Sequence, residues 1–347
     1  MTRGPAWYTL NRFSRVTSQS TATFCNMQDQ ATRNKNSNAR EGRDINLDLI
    51  AVVAAVTDRE PCVLTIGEQD ALPSGPFELS HRSLQSGLRD WVEQQTGHPL
   101  GYIEQLYTFA DRDRVEAGRK QRNISISYLA LIRQEAVAVS RNCDWKSWYA
   151  YFPWEDHRSG APDALSILHR RLIAWAKGAS SMAARRERRQ RAAIAFAFDD
   201  RPWNEDLTLQ RYELLFEAGL IGEAGGGASI TLPATVSGKP MVCDHRRILA
   251  TGIARLRSKI KYRPVVFELT RPSFTLLQLQ RTVEALAGRL INKPNFRRLV
   301  EQQELVEETG ETALDTGGRP AKLFRFRRAV LDDSAAVVGT KLPLARA

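Results

Sequence analysis

The period of the apolar positions changes several times along this chain, and each change marks an element. Leu47–Val56 is apolar at every position but Asp48 and rich in β-branched residues, as a strand buried on both faces would be. Cys62–Ile66 follows across a turn at Thr57–Pro61, which reads as a hairpin. The breaker cluster Leu72-Pro73-Ser74-Gly75 leads to a helix around Leu84–Gln95, and Tyr102–Phe109 and Ile124–Arg133 read as two further strands. That order describes a mixed α/β layer.

Residues 155–230 shift to a helical period. Leu165, Leu168, Leu172 and Trp175 form one stripe along Ala164–Lys177, and Leu207–Ala218 is a second amphipathic helix closed by Gly219. Arg185–Arg191 carries five arginines against Glu187, the pattern of a solvated helix face. Asp244–Lys261 predicts a longer helix, with Leu249, Ile253, Leu256 and Ile260 on its apolar side and a strongly basic opposite face. Arg263-Pro264 ends it, and Val265–Leu269 is expected as a short strand.

The last segment is the most informative. Ser273 or Thr275 can cap a helix that buries Leu276, Leu279, Val283 and Leu286 and stops at Gly288. Asn292-Lys293-Pro294 starts a second helix, which buries Phe296, Leu299 and Val300 and offers Lys293, Asn295, Arg297 and Arg298 on its other side. Leu305–Thr309 and Leu323–Arg327 alternate as two strands joined through Gly317-Gly318-Arg319-Pro320. Helix, turn, basic helix and a hairpin with a basic tip make a winged helix-turn-helix. The major groove admits one α-helix, Arg and Asn can pair bidentately with guanine and adenine, and Arg319 and Lys322 on the wing would reach phosphates or the minor groove. A protein-docking module with a merely solvated basic face is the other reading of the same pattern.

Charge sharpens this picture. Lys plus Arg is 50 against 39 acids, a net +11. Residues 1–43, with seven basic and two acidic side chains, and residues 244–263, with seven and one, hold the whole excess. Cationic charge so localised suits a polyanion such as nucleic acid. At 347 residues, 42% hydrophobic and 26% charged, the chain reads as globular with two domains. No apolar run approaches the roughly eighteen residues of a membrane span, so no membrane partner is expected. Four scattered cysteines without a CxxC pair suit a reducing, cytoplasmic setting. Residues 1–43, polar and without periodicity, are expected to be a disordered tail, and 332–347 a flexible one.

The helix after Gly75 resembles the Nudix box, G-x5-E-x7-R-E-U-x-E-E-x-G-U with U apolar. Gly75, Arg89, Trp91 and Glu93 fall in register, but His81, Asp90 and Gln94 stand at glutamate positions and Thr96 at the glycine, with Gly97 one residue late. The box's glutamates ligate Mg²⁺ for pyrophosphate hydrolysis, and glutamine cannot supply that anionic charge. A Nudix-like domain fused to a winged helix resembles the Nudix-related transcriptional regulators of NAD metabolism, known as NrtR and, in a variant group, NadQ. The resemblance covers roughly residues 44–330. It is carried by Leu100–Phe109, by WNEDLTLQRYELLFEAG at 203–219, by Asp244–Leu269, and by PNFRRLVEQQELVEETG and GGRPAKLFRF within Phe274–Phe326. The lost acids and the long 155–230 region are more similar to the NadQ type.

The resemblance implies an α+β chain: a Nudix-like α/β/α sandwich over 44–243, a basic connecting helix over 244–264 and a winged helix over 265–331. It implies a bacterial, homodimeric repressor of NAD-biosynthesis genes whose partners are a double-stranded DNA operator and a nucleotide effector (NAD, ADP-ribose or ATP). No cofactor, metal or catalytic residue is expected. In the former catalytic cleft, Arg89, Gln105, Tyr107, Phe109, Arg112 and Arg114 are candidates to stack adenine or hold phosphate, although Tyr107 and Phe109 also suit a strand core. The alternative is a Nudix hydrolase of ADP-ribose or a related dinucleotide, supported by Glu93 and Asp90.

Overall fold

The apolar run at the start of the sequence becomes the spine of a mixed sheet. The computed structural model describes residues 45–110, 122–133, 143–224, 232–262, 265–313 and 320–327, all within one compact unit, Asp44–Ala347. Both expected tails lie outside these residues. Strand β1 (Ile45–Thr57) turns through Asp58-Arg59 into β2 (Glu60–Ile66). Then come β3 (Ser74–Pro76), helix α1 (Leu84–Thr96), β4 (Tyr102–Phe109), β5 (Arg122–Leu131) and β6 (Cys143–Ser147). The sheet order is β4-β5-β1-β2-β6, with β3 also on β1. β1 is parallel to β5 from Ile45↔Arg122 to Ala54↔Leu131 and antiparallel to β2 and β3. A strand with neighbours on both edges and helices on both faces can be apolar throughout, which accounts for the run.

Its alternate side chains feed two cores. Leu49, Ala51 and Val53 pack with Leu88 and Val92 of α1. Ile50, Val52 and Ala54 face the opposite layer, made of α2 (Asp163–Lys177), α3 (Met182–Phe196), α4 (Thr208–Glu217), the single turn α5 (Ala234–Ser237) and α6 (His245–Tyr262). α6 crosses the sheet so closely that a Cβ on Gly252 would lie 2.9 Å from the Val52 side chain. Among the described residues no helix is long and apolar enough to cross a membrane.

The C-terminal unit follows as helices α7 (Leu276–Ala287) and α8 (Lys293–Gln302), then strands β7 (Val306–Ala313) and β8 (Ala321–Phe326). Thr275 caps α7 in a reciprocal capping box with Gln278, and Gly288 ends it in the left-handed region at φ 72°. Mixed α+β architecture with a C-terminal winged helix agrees with the sequence reading.

Two expectations are corrected. Val265–Leu269 is a 3-10 turn, not a strand: Val266, Phe267 and Leu269 are all buried, a spacing that strand alternation cannot place on one side. Most of the basic side of α6 also turns inward, with Arg255 left exposed. Arg246 and Arg257 are fully buried, Arg247 pairs with Glu213, Lys259 with Glu104, and Lys261 with Glu205 and Asp206. Acids distant in sequence neutralise the local excess.

At the start of α6, His245 lies in the interior and its Nδ1 accepts a hydrogen bond from the Leu72 backbone N–H at 2.9 Å. Burial holds its pKa down to about 4, against the ordinary 6.5. The folded protein thus keeps this ring neutral while the unfolded chain protonates it first. This contribution to stability is complete above about pH 6.5 and declines as pH falls toward 4, by about 3 kcal/mol in all. Denaturant melts of the native protein and His245→Gln across pH 7 to 4 should show the shallower decline in the variant.

Candidate nucleic-acid interface

Helix α8 is built to be held by one side only. The Asn292 side chain caps it by accepting from the Asn295 N–H at 3.1 Å, and Pro294 sits in the first turn, where no backbone donor is needed. Phe296 and Val300 are fully buried against α7, whereas Lys293, Asn295, Arg297 and Arg298 are exposed. Spacing of four places Lys293 and Arg297 in one row, and spacing of three places Asn295 and Arg298 in the next. Among the described residues none of the three cations makes an ion pair. Their charge stands free at the N-terminal half of the helix, where the backbone dipole adds to it.

The wing is different. β7 and β8 pair antiparallel from Val306↔Phe326 to Ala313↔Ala321, and Phe274 adds a bridge to Phe324 through two backbone bonds of 2.9 and 2.8 Å. Lys322 pairs with Glu308 at 2.8 Å, Arg325 with Glu307 at 2.7 Å and Arg327 with Glu304 at 2.7 Å. Such exposed pairs hold little energy and can exchange a carboxylate for a phosphate. The wing tip with Arg319 lies outside the described residues.

The face of the sheet beside α1 carries a cluster of rings. His81, at a glutamate position of the box, accepts from the Glu78 N–H at 3.0 Å and sits between Phe77 and Trp91, with centroids at 5.8 and 6.2 Å. Gly75 and Gly87 leave room for this cluster, because a Cβ at either would stand 2.3 Å from Trp91 or 2.6 Å from the His81 ring. Arg89 is committed to backbone, donating to the carbonyl of Leu100 and, at 3.0 Å, to that of Gly101. Asp90, Glu93 and Gln94 are exposed, and among the described residues no His, Cys, Asp and Glu cluster could hold a metal ion.

On β4, a bulge between Gln105 and Thr108 breaks the alternation. Leu106 and Phe109 both enter the core, while Gln105 is exposed and Tyr107 is 60% exposed. The Tyr107 ring meets Phe109 edge-on at 5.1 Å, and Arg247 lies over Phe109 at 4.9 Å. Arg112 and Arg114 lie outside the described residues.

Between the two sites runs a buried ionic hub. The Glu155 carboxylate, 1% exposed, accepts from Arg211 through both of its oxygens and from Arg257, with Thr208 at 3.4 Å. Burial alone would raise its pKa, but the two guanidiniums outweigh that and hold the group below the ordinary carboxylate range. Arg257 also donates Nε–H to the Leu286 carbonyl at 2.9 Å, in the last turn of α7. Tyr149 donates to the Ala285 carbonyl at 2.6 Å, and the His157 N–H to that of Gly288 at 2.6 Å. The end of α7 is therefore fastened to the sheet domain through its own carbonyls.

The hub escaped the sequence reading, though a signal existed. Arg246, Ile253, Arg257 and Ile260 share the buried stripe of α6, and Glu155 closes an aromatic run, Trp148 to Trp154. Charges on apolar stripes are the mark of interior ion pairs.

A family model for the NrtR DNA-binding winged helix domain covers this C-terminal geometry. Residues 266–326 match that domain. The ADPR responsive transcriptional repressor NtrR of Acinetobacter baylyi is 39% identical over 83 residues, 24% of this chain. The chain spans about a third of that relative's length, 33%. Among solved structures, Shewanella oneidensis NrtR complexed with a 27mer DNA is 19% identical, over 82% of this chain and 95% of that one, at a TM-score of 0.49. A MutT/nudix family protein from Enterococcus faecalis is 14% identical, over 92% and 100%, at 0.48. The chain thus resembles NrtR-type regulators, and its sequence match to them is concentrated in the winged helix.

Glu155→Gln keeps the shape of the hub but leaves two buried guanidiniums without a counter-charge. It should lower unfolding free energy by about 3–5 kcal/mol in guanidinium melts, whereas Lys322→Gln at the exposed wing pair should change it by less than about 1 kcal/mol.

Proposed function

We propose that this chain is a bacterial, cytoplasmic repressor of NAD-biosynthesis genes, working as a homodimer on operator DNA. The observation that carries the reading is the match of residues 266–326 to a DNA-binding winged helix, on which the free cations of α8 are exposed. Lys293, Asn295, Arg297 and Arg298 read or position the major groove, and Arg319 and Lys322 make the wing contact. In this reading Arg297 or Arg298 pairs with base edges while Lys293, at the start of the helix, holds phosphate.

The Nudix-like domain serves as the sensor and does no hydrolysis. The support is chemical: His81 is committed to an aromatic cluster and Gln94 is uncharged, so Asp90 and Glu93 are the acids left in the box. The effector is an adenine or nicotinamide nucleotide. ADP-ribose stands ahead of NAD and ATP because the A. baylyi relative is described as ADPR responsive. Tyr107, exposed and backed by Phe109, offers a stacking face with Gln105 beside it. Arg89 acts indirectly by fixing the Leu100-Gly101 backbone, and Arg112 and Arg114 supply further cationic contacts.

Electrophoretic mobility shift with DNA upstream of NAD-biosynthesis genes, with and without ADP-ribose, NAD or ATP, tests this directly. A specific shift should appear, and one nucleotide should change operator affinity roughly 5- to 150-fold, a coupling of about 1–3 kcal/mol. No specific shift under any ligand would leave the winged helix a docking module. Arg297→Ala and Arg298→Ala should each cost about 1–3 kcal/mol, and the residue that reads a base should also relax sequence preference. If about six phosphates are neutralised, log affinity should fall with log salt at a slope near −5.

A further inference from the structure

A second cationic site lies where the β1–β2 hairpin meets the winged helix. A cavity of about 470 Å³ opens to solvent between the hairpin tip, the end of β5 and the first half of α7. Arg59, Arg133, Arg271 and Arg281 line it from four separate segments, and among its described lining residues Asp58 is the one acid. Elsewhere the chain matches buried or half-buried cations with acids, as at Arg247, Lys259 and Lys261. Here Arg59 and Arg133, both exposed, and the half-buried Arg281 make no ion pair among the described residues. Like charges converging on one concavity repel unless an anion joins them.

The hairpin tip is shaped for this position. Asp58 and Arg59 both have left-handed backbone, at φ 48° and 70°, a two-residue turn in which the second position favours glycine. An arginine stands there instead, and its own carbonyl accepts from Arg158 at 2.6 Å, so the tip is anchored. Guanidinium forks match phosphoryl oxygens bidentately, and several forks on different walls suit a ligand with more than one phosphoryl group. The volume falls within the range of small-ligand sites and is concave, unlike the convex surface a DNA backbone follows.

We propose that this junction cavity binds a small polyphosphorylated anion, of the nucleoside di- or triphosphate class, at a site separate from the β4 surface. Such a ligand would bridge the sheet domain and the first half of α7, whereas the Glu155 hub holds its last turn. The site is defined without reference to operator DNA, so its test does not depend on the repressor reading.

The experiment is calorimetric titration of the full chain with inorganic tripolyphosphate and with ATP. Both should bind, and ATP binding more tightly than tripolyphosphate in Tyr107→Ala as well would show that the nucleoside contributes at this site. Arg59→Gln with Arg281→Gln should weaken each by at least about tenfold, as the loss of charged hydrogen bonds requires, whereas Tyr107→Ala should leave tripolyphosphate binding unchanged. Asp58→Asn should tighten binding, a gain that a folding defect would not produce. Absence of binding by both probes at millimolar concentration would overturn the proposal. So would binding indifferent to the arginine pair, or a pair that affects duplex DNA affinity alone, which would make the cavity a DNA-backbone contact.

Discussion

One buried carboxylate, Glu155, ties the sheet domain to the end of α7 through Arg257. Glu155 is withdrawn from water almost completely, and a lone buried carboxylate would be expensive enough to shed its charge. Two arginines from different helices prevent that, and each has its own further duties. Arg211 donates to the carbonyls of Ala195 and Asn204, both at 2.9 Å, tying α3 to the loop before α4. Arg257 reaches the last turn of α7, whose free carbonyls carry the negative end of that helix. The arrangement leaves little tolerance: Gly288 must be glycine both for its left-handed backbone and because a Cβ would stand 2.3 Å from the Glu155 carbonyl oxygen.

The hub also explains why much of the strongest charge signal in the sequence, the basic face of α6, turns inward. Seven basic residues within 244–263 look like a polyanion site when their neighbours in the chain carry almost no acid. Folding supplies the acids from Glu104, Glu155, Glu205, Glu213 and Glu223, all far away in sequence. Local charge counts cannot see such partners, because electrostatic neutralisation is set by tertiary distance. The cations of α8 show the converse: fewer in number and unremarked by net charge, they make no ion pair among the described residues.

Legibility followed the range of the interaction that decides each feature. Capping boxes, left-handed glycines and the 3.6 period are fixed within a few residues, so α7, α8 and α6 could be read with boundaries close to those observed. Apolar, β-branched runs bounded by turn signals gave β1, β2, β4 and β5. The short edges β3 and β6 were missed, since three to five residues carry too little pattern and their pairing comes from β1 and β2. The bulge in β4 was equally invisible, and it moved Phe109 into the core while leaving Tyr107 outside. The winged helix was legible because its cations face away from its own core. Arg59, Arg133 and Arg281 were not, because only the packing of the hairpin tip against α7 brings them together.

These constraints limit how a signal can travel. One apolar cluster runs from Val52 and Leu129 in the sheet through Leu249 and Leu256 of α6 to Leu279, Phe296 and Val306 in the winged helix. A swing of the winged helix as an independent body would open this core and strip Arg257 from the α7 carbonyl, and packed interiors do not deform continuously. Within one protomer, the proposed effector on the sheet domain would therefore act through small shifts of α6 and α7 as packed elements. In the proposed dimer, a reorientation large enough to change half-site spacing would instead arise between protomers, where a displacement of about 1–2 Å at an interface helix can be amplified by rotation of the whole subunit. If the chain works as the proposed dimer, the place to look for switching is the contact between the copies.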